Sequence, residues 1–94
     1  MILEQMEKHQ NAIENYNIAI EYKPDFAENY LEKGISLLNL GQHAAAKENF
    51  RLAVKYNPDI IIGYEIVIKR LKELESFSVA KEYEQKLQML KKYS

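Results

Sequence analysis

The two histidines of this 94-residue chain, His9 and His43, are by type the residues best suited to metal binding or acid–base chemistry. A metal site needs several ligands converging on one point. Along a helix the next ligand would stand three or four residues on, but Ala12 and Ile13 follow His9, and Ala46 and Lys47 follow His43. The 14 acidic residues supply only the i,i+2 pairs Glu73/Glu75 and Glu82/Glu84, which point to different sides of a helix. Glu4–Lys8, Glu65–Lys69 and Glu82–Lys86 have the i,i+4 order of ordinary surface pairing. The hydroxyls of Ser36, Ser76, Ser78 and Ser94 have no neighbouring histidine in sequence to activate them. Cysteine is absent, which removes thiolate ligands, cysteine nucleophiles and disulfides together. There is no glycine-rich phosphate loop, nucleophile elbow or HExxH. The expectation is no catalytic residue, no metal site and no cofactor.

Charge excludes further classes. Lys and Arg number 13 against 14 Asp and Glu, for a net charge of −1, too balanced to engage a nucleic-acid backbone. Lys69, Arg70, Lys72, Lys91 and Lys92 form a mild basic cluster, but Glu65, Glu73 and Glu75 interrupt it, and it reads as a solvated face. The longest apolar run, Ile60-Ile61-Ile62, is far short of the roughly 20 residues of a membrane span. The first residues lack the basic-then-apolar pattern of a secretory signal. Together with the missing cysteine, this gives a cytoplasmic expectation with no membrane partner.

The elements that would position any functional side chain follow from a repeat. Pro24 and Pro58 stand 34 residues apart in the phrases Tyr22-Lys23-Pro24-Asp25 and Tyr56-Asn57-Pro58-Asp59. The same offset superposes His9 on His43, Ala12 on Ala46, Asn15 on Asn49, Tyr16 on Phe50, Ala19 on Ala53 and Tyr30 on Tyr64. Each period reads as two helices, with apolar residues at helical spacing. Tyr30, Leu31, Ile35, Leu37 and Leu38 mark one helix, opened by an Asp25/Glu28 capping box and stopped by a left-handed Gly41. Ala46, Phe50, Ala53 and Val54 mark the next, ended by Pro58, with Asp59 capping its successor.

The residues Tyr30, Gly34, Leu37, Gly41, Ala46, Phe50, Ala53 and Pro58, at their spacings, make this chain resemble a tetratricopeptide repeat (TPR) protein. The resemblance implies an all-α helix-turn-helix solenoid of five full helices plus a short N-terminal remnant. It divides the chain into a truncated repeat (1–24), a complete one (25–58) and a degenerate or capping one (59–94). The third departs from the pattern where Ile68 and Leu87 replace small residues and Glu84 replaces an aromatic, bulk that should push that helix pair apart or rotate it. His9 and His43 share a repeat position at which the family usually packs an aromatic ring. The last helix, rich in Lys and Glu, reads as a solvating cap.

The resemblance also implies a function: a non-catalytic scaffold that binds a peptide or helix of another protein in its concave groove. Groove positions fall on Glu28, Leu31, Ile35, Leu38 and Asn39, then on Ile62, Glu65, Lys69 and Lys72. Leu31, Ile35 and Leu38 form an apolar i, i+4, i+7 stripe, suited to an amphipathic helix, or else normally covered by the opening helix that the first repeat lacks. Relatives that clamp acidic chaperone tails need Lys, Asn and Arg where this chain has Leu31, Ile35, Glu32, Ile62 and Ile66, so such a tail is not the partner. The alternative is a structural or oligomerisation element, or a piece of a longer array. Its apolar faces, at Ile13, Tyr16, Ile20, Ile60 and Ile61, would meet a second copy, giving a homodimer, unless residues 1–6 fold back as a lid.

Overall fold

The computed structural model describes residues 2–94, with side chains from residue 4 onward. Those residues form five helices: α1 (Ile2–Tyr22), α2 (Ala27–Asn39), α3 (His43–Tyr56), α4 (Ile60–Glu73) and α5 (Phe77–Tyr93). The all-α architecture agrees with the sequence, but the remnant is not a separate piece. No Gly or Pro interrupts the chain between residue 2 and Pro24, and the intervening Glu, Gln, Met and Lys all favour helix. Residues 2–6 therefore prolong α1, and Met6 is exposed on it rather than folded back as a lid. Met1 lies outside the described residues.

Helix ends show where local chemistry prevails. Gly41 takes φ +77°. There the Gln42 N–H donates to the Leu37 carbonyl and the Gly41 N–H to the Leu38 carbonyl, both at 2.9 Å, which closes a Schellman turn. Thirty-four residues on, Glu75 adopts φ +61° in the same turn, with the Ser76 N–H donating to the Leu71 carbonyl at 2.8 Å. The Asp25/Glu28 capping box does not form. Phe26 is the N-cap of α2, in extended conformation and without a side-chain bond. The Tyr30 hydroxyl ties this end down instead, donating to the Pro24 carbonyl at 2.5 Å. Asp59 does stand at the N-cap of α4 but makes no side-chain cap, and its own N–H donates to Asn57 Oδ1 at 3.2 Å.

The α2–α3 hairpin is the centre of the core. Ala46, Phe50 and Ala53 are fully buried, and Gly34 allows the close approach: a Cβ there would lie 3.0–3.2 Å from three atoms of the Phe50 ring. Tyr56 stacks on Tyr30 with ring centroids 5.2 Å apart. Ile13 and Ile20 of α1 pack onto this cluster. The equivalents of Ala46 and Ala53 in α1, Ala12 and Ala19, are only half-buried, because among the described residues no helix nests against them as α2 does against α3.

The third unit does not nest on the second as α3 nests on α2. Its second helix, α5, packs chiefly on α4 and then on α3, and both α5 on α2 and α4 on α3 touch only sparingly. Tyr93 stacks on Phe50 at 5.7 Å, and Leu90 is completely buried in the same cluster. Ile68 and Leu87, both buried, fill the space that small residues would leave for regular nesting. Tyr83 turns in against Tyr64, edge-on at 5.5 Å. α5 is therefore not simply a solvating cap. Ion pairs follow this packing: Glu65 meets Lys91 at 3.2 Å and Lys86 meets Glu32 at 2.7 Å, instead of the i,i+4 partners their spacing offers. No helix among the described residues is long and apolar enough to cross a membrane.

Candidate functional site

Besides packing on α3 and α1, α2 runs beside α5, and the seam between these two helices is open. It holds three adjoining hollows. The first, about 450 Å³, is walled by Glu28, Glu32, Tyr64, Val67, Tyr83 and Lys86. The next, about 330 Å³, shares Glu32 and Lys86 with it and runs past Ile35 and Met89. The last, about 290 Å³, shares Gln85 and Met89 with the second and ends at Leu38, Lys92 and Tyr93. Shared walls make this one groove that follows α2 from Glu28 to Leu38. It is acidic and aromatic at one end and mixed at the other, where Leu38, Met89 and Tyr93 stand among Gln85, Gln88 and Lys92.

At the acidic end, the Tyr64 hydroxyl donates to Glu28 Oε2 at 2.7 Å and Lys86 Nζ donates to Glu32 Oε1 at 2.7 Å. The Lys86 ammonium also lies over the Tyr83 ring, 5.7 Å from its centroid. Burial pushes the Tyr64 hydroxyl far above the ordinary tyrosine range, reinforced by the bond to Glu28 and the charges of Glu28 and Glu32. Tyr16 of α1 is raised by burial and then by Glu32, with Lys86 opposing. Burial alone would lower the Lys86 pKa, but the hydrogen bond and charge of Glu32 outweigh it, so the net shift is upward. These hydroxyls stay neutral and this ammonium stays charged at physiological pH.

The groove positions read from the sequence do not share one surface. Leu31 is completely buried and belongs to the core. Glu28, Ile35 and Leu38 are half-buried along the α2–α5 seam, and Asn39 is exposed at its far end. On α4, Glu65 and Lys72 pair across to Lys91 and Glu84 of α5, whereas Ile62 and Lys69 are exposed. α4 approaches α2 near Glu28, which bonds the Tyr64 hydroxyl and shares hollows with Ile60, Gly63 and Val67, while Ile62, Glu65, Lys69 and Lys72 line none of these hollows. Of the proposed self-association residues, Ile60 is buried, and Ile13, Tyr16, Ile20 and Ile61 are half-buried within the fold. The exposed apolar side chains are others, among them Ile18 and Tyr22 on α1 and Ile62 and Ile66 on α4.

Glu32, Gln85, Lys86, Met89 and Tyr93 are groove residues that the sequence did not single out. Their signal was indirect: the bulk at Ile68 and Leu87 announced a helix pair pushed apart or rotated, but not which helix would line the groove. His43 is exposed at the start of α3 and His9 is half-buried on α1, so neither is the packed ring that their repeat position called for. No group of three or more His, Asp or Glu among the described residues could hold a metal ion.

Comparison with known proteins gives no matching curated protein and no matching solved structure. The sequence pattern of the tetratricopeptide repeat does match, twice in succession, over residues 1–26 and 27–60. The second match begins at Ala27, the first residue of the helix whose Gly34 admits the Phe50 ring. With these consecutive matches over more than half its length, the chain belongs to the tetratricopeptide repeat family.

Proposed function

We propose that this protein is a non-catalytic interaction scaffold that binds a segment of another polypeptide along the groove between α2 and α5. Tetratricopeptide repeats in general mediate protein–protein interaction, and the continuous line of hollows from Glu28 to Leu38 carries the assignment to this seam. Long concave sites with apolar walls and a few convergent polar groups are the usual form of a ligand groove. Ile35, Leu38 and Met89 supply the apolar wall, and Glu28, Glu32 and the Tyr64 hydroxyl supply direction. The acidic end disfavours a partner carboxylate there.

Selection of displayed random peptides on the full-length chain tests this. Selected peptides should lose at least about tenfold in affinity when Ile35→Glu places a charge in the apolar stretch, a cost of about 1.4 kcal/mol or more. Ile62→Lys, on the exposed side of α4, should leave them bound. Indifference to Ile35→Glu with helicity retained would remove the groove assignment.

A second reading, self-assembly, is favoured by one observation. Ile18 and Tyr22 are 53% and 84% exposed on α1, and Ile62 and Ile66 are 57% and 64% exposed on α4, an apolar exposure common at interfaces. Light scattering over a tenfold concentration range separates the readings. A dimer that Ile18→Lys abolishes supports the second, and a monomer throughout rejects it.

A further inference from the structure

We propose that the acidic end of the groove takes the side chain of an arginine from the bound polypeptide. This rests on the reading of the α2–α5 seam as a polypeptide groove, and it names the residue that would anchor the partner. The hollow between α2, α4 and α5 has a volume of about 450 Å³, room for a guanidinium and its stem. Its fixed charges are the two carboxylates of Glu28 and Glu32 and the one ammonium of Lys86, which leaves one negative charge in excess. Lys86 is committed to Glu32 at 2.7 Å. Glu28 accepts from the neutral Tyr64 hydroxyl, and among the described residues no Lys or Arg lies within ion-pair distance of it.

The chain's own cation shows how a second one would be held. Lys86 sits against a carboxylate on one side and the Tyr83 ring on the other. Glu28 and Tyr64 line the same hollow, the carboxylate bonded to the Tyr64 hydroxyl and the Tyr64 ring against Tyr83 at 5.5 Å, with Val67 offering an apolar surface for a stem. A planar guanidinium fits this pairing better than an ammonium. It donates in a fork to a carboxylate, stacks on aromatic faces and is less strongly hydrated. An anion would meet the carboxylates of Glu28 and Glu32 and find the Lys86 ammonium already engaged by Glu32.

The probe is N-acetyl-arginine amide, titrated into the isotope-labelled full-length chain and followed by amide chemical shifts, with N-acetyl-aspartate amide in parallel. The arginine probe should give saturable shifts confined to residues 28–32, 64–67 and 83–86, and the aspartate probe none. Glu28→Gln should weaken the arginine probe about fivefold by removing one charge-assisted bond, while Glu48→Gln, on the exposed side of α3, leaves it unchanged. Both variants should keep wild-type helicity. Shifts scattered over surface carboxylates without saturation, or equal affinity in Glu28→Gln, would overturn the proposal. If the probe fails, peptides that still map to Ile35, Leu38 and Met89 leave the groove reading standing; if the probe binds at Glu28 but no peptide maps to those residues, the groove reading falls, and with it the partner polypeptide as the source of the arginine.

Discussion

Lys86, on the last helix, and Glu32, on the second, meet at 2.7 Å across 54 positions of sequence. This contact, with Tyr93 stacked on Phe50, fixes α5 beside α2 and so creates the groove. The pair is only partly exposed, at 30% and 27% of the two side chains, so it should be worth slightly more than a surface ion pair. Lys86→Ala is expected to cost about 1 kcal/mol in denaturant unfolding, and a double-mutant cycle with Glu32→Ala should show coupling of similar size. Strict additivity of the two changes would mean that α5 is held by packing alone.

Alkaline pH should destabilise the fold through its buried and half-buried tyrosines and Lys86. Tyr16, Tyr30 and Tyr64 all have pKa values raised in the folded state, chiefly by burial, and that of Lys86 is raised by Glu32 against its own desolvation. A raised folded pKa means that the native state binds the proton more tightly than the unfolded chain. The stability from these groups is fully present below the unfolded values of about 10 for tyrosine and about 10.4 for lysine, and is lost above them. Unfolding free energy should therefore be level from pH 7 to about 9.5 as far as these groups decide it, and fall beyond that. Tyr64→Phe should make the fall shallower, which a urea titration at each pH reads directly.

Much of this fold is legible in the sequence, and the exceptions are physical. The 34-residue period located the helices and the Gly41 stop, because those depend on residue size and on φ. The Asp25 capping box failed because Phe26 takes the N-cap and the Tyr30 hydroxyl engages the Pro24 carbonyl. The Leu31–Ile35–Leu38 stripe was visible, but not that Leu31 belongs to the core. That is a tertiary property, since Leu31 joins the cluster of Ala27, Tyr30, Phe50 and Leu90 onto which Ile13 and Ile20 of α1 pack. Local spacing likewise offered Lys86 to Glu82, and only the tertiary packing brings it to Glu32.

Glu75 holds the left-handed conformation that Gly41 holds one repeat earlier, and a residue with a Cβ loses about 1 kcal/mol there. Glu75→Gly should raise stability by about 0.5–1 kcal/mol, and Gly41→Ala should lower it by about 1 kcal/mol. Chemical denaturation of the two variants checks both signs.

Gly34 faces a Phe50 ring that is itself pinned by Tyr93, so the ring has nowhere to yield. Gly34→Val should cost about 1–3 kcal/mol by overpacking, despite the gain in side-chain burial. A melting temperature at or above that of the wild type would show that the α2–α3 contact is looser than its distances imply.

Tyr22 and Tyr56 occupy one repeat position in two environments. Tyr56 stacks on Tyr30, whereas Tyr22 is 84% exposed. Tyr56→Ser should cost about 1 kcal/mol and Tyr22→Ser less than about 0.5 kcal/mol. Equal losses would mean that the stack contributes nothing.

The central claim is that the α2–α5 seam receives a polypeptide. Its most direct test is amide chemical-shift mapping of a selected peptide bound to the full-length chain. Shifts concentrated at Glu28, Glu32, Ile35 and Leu38 on α2 and at Gln85, Met89 and Tyr93 on α5 are the predicted result. Shifts centred instead on Ile62, Ile66 and Lys69 of α4, or on Ile18 and Tyr22 of α1, with the seam silent, would contradict it.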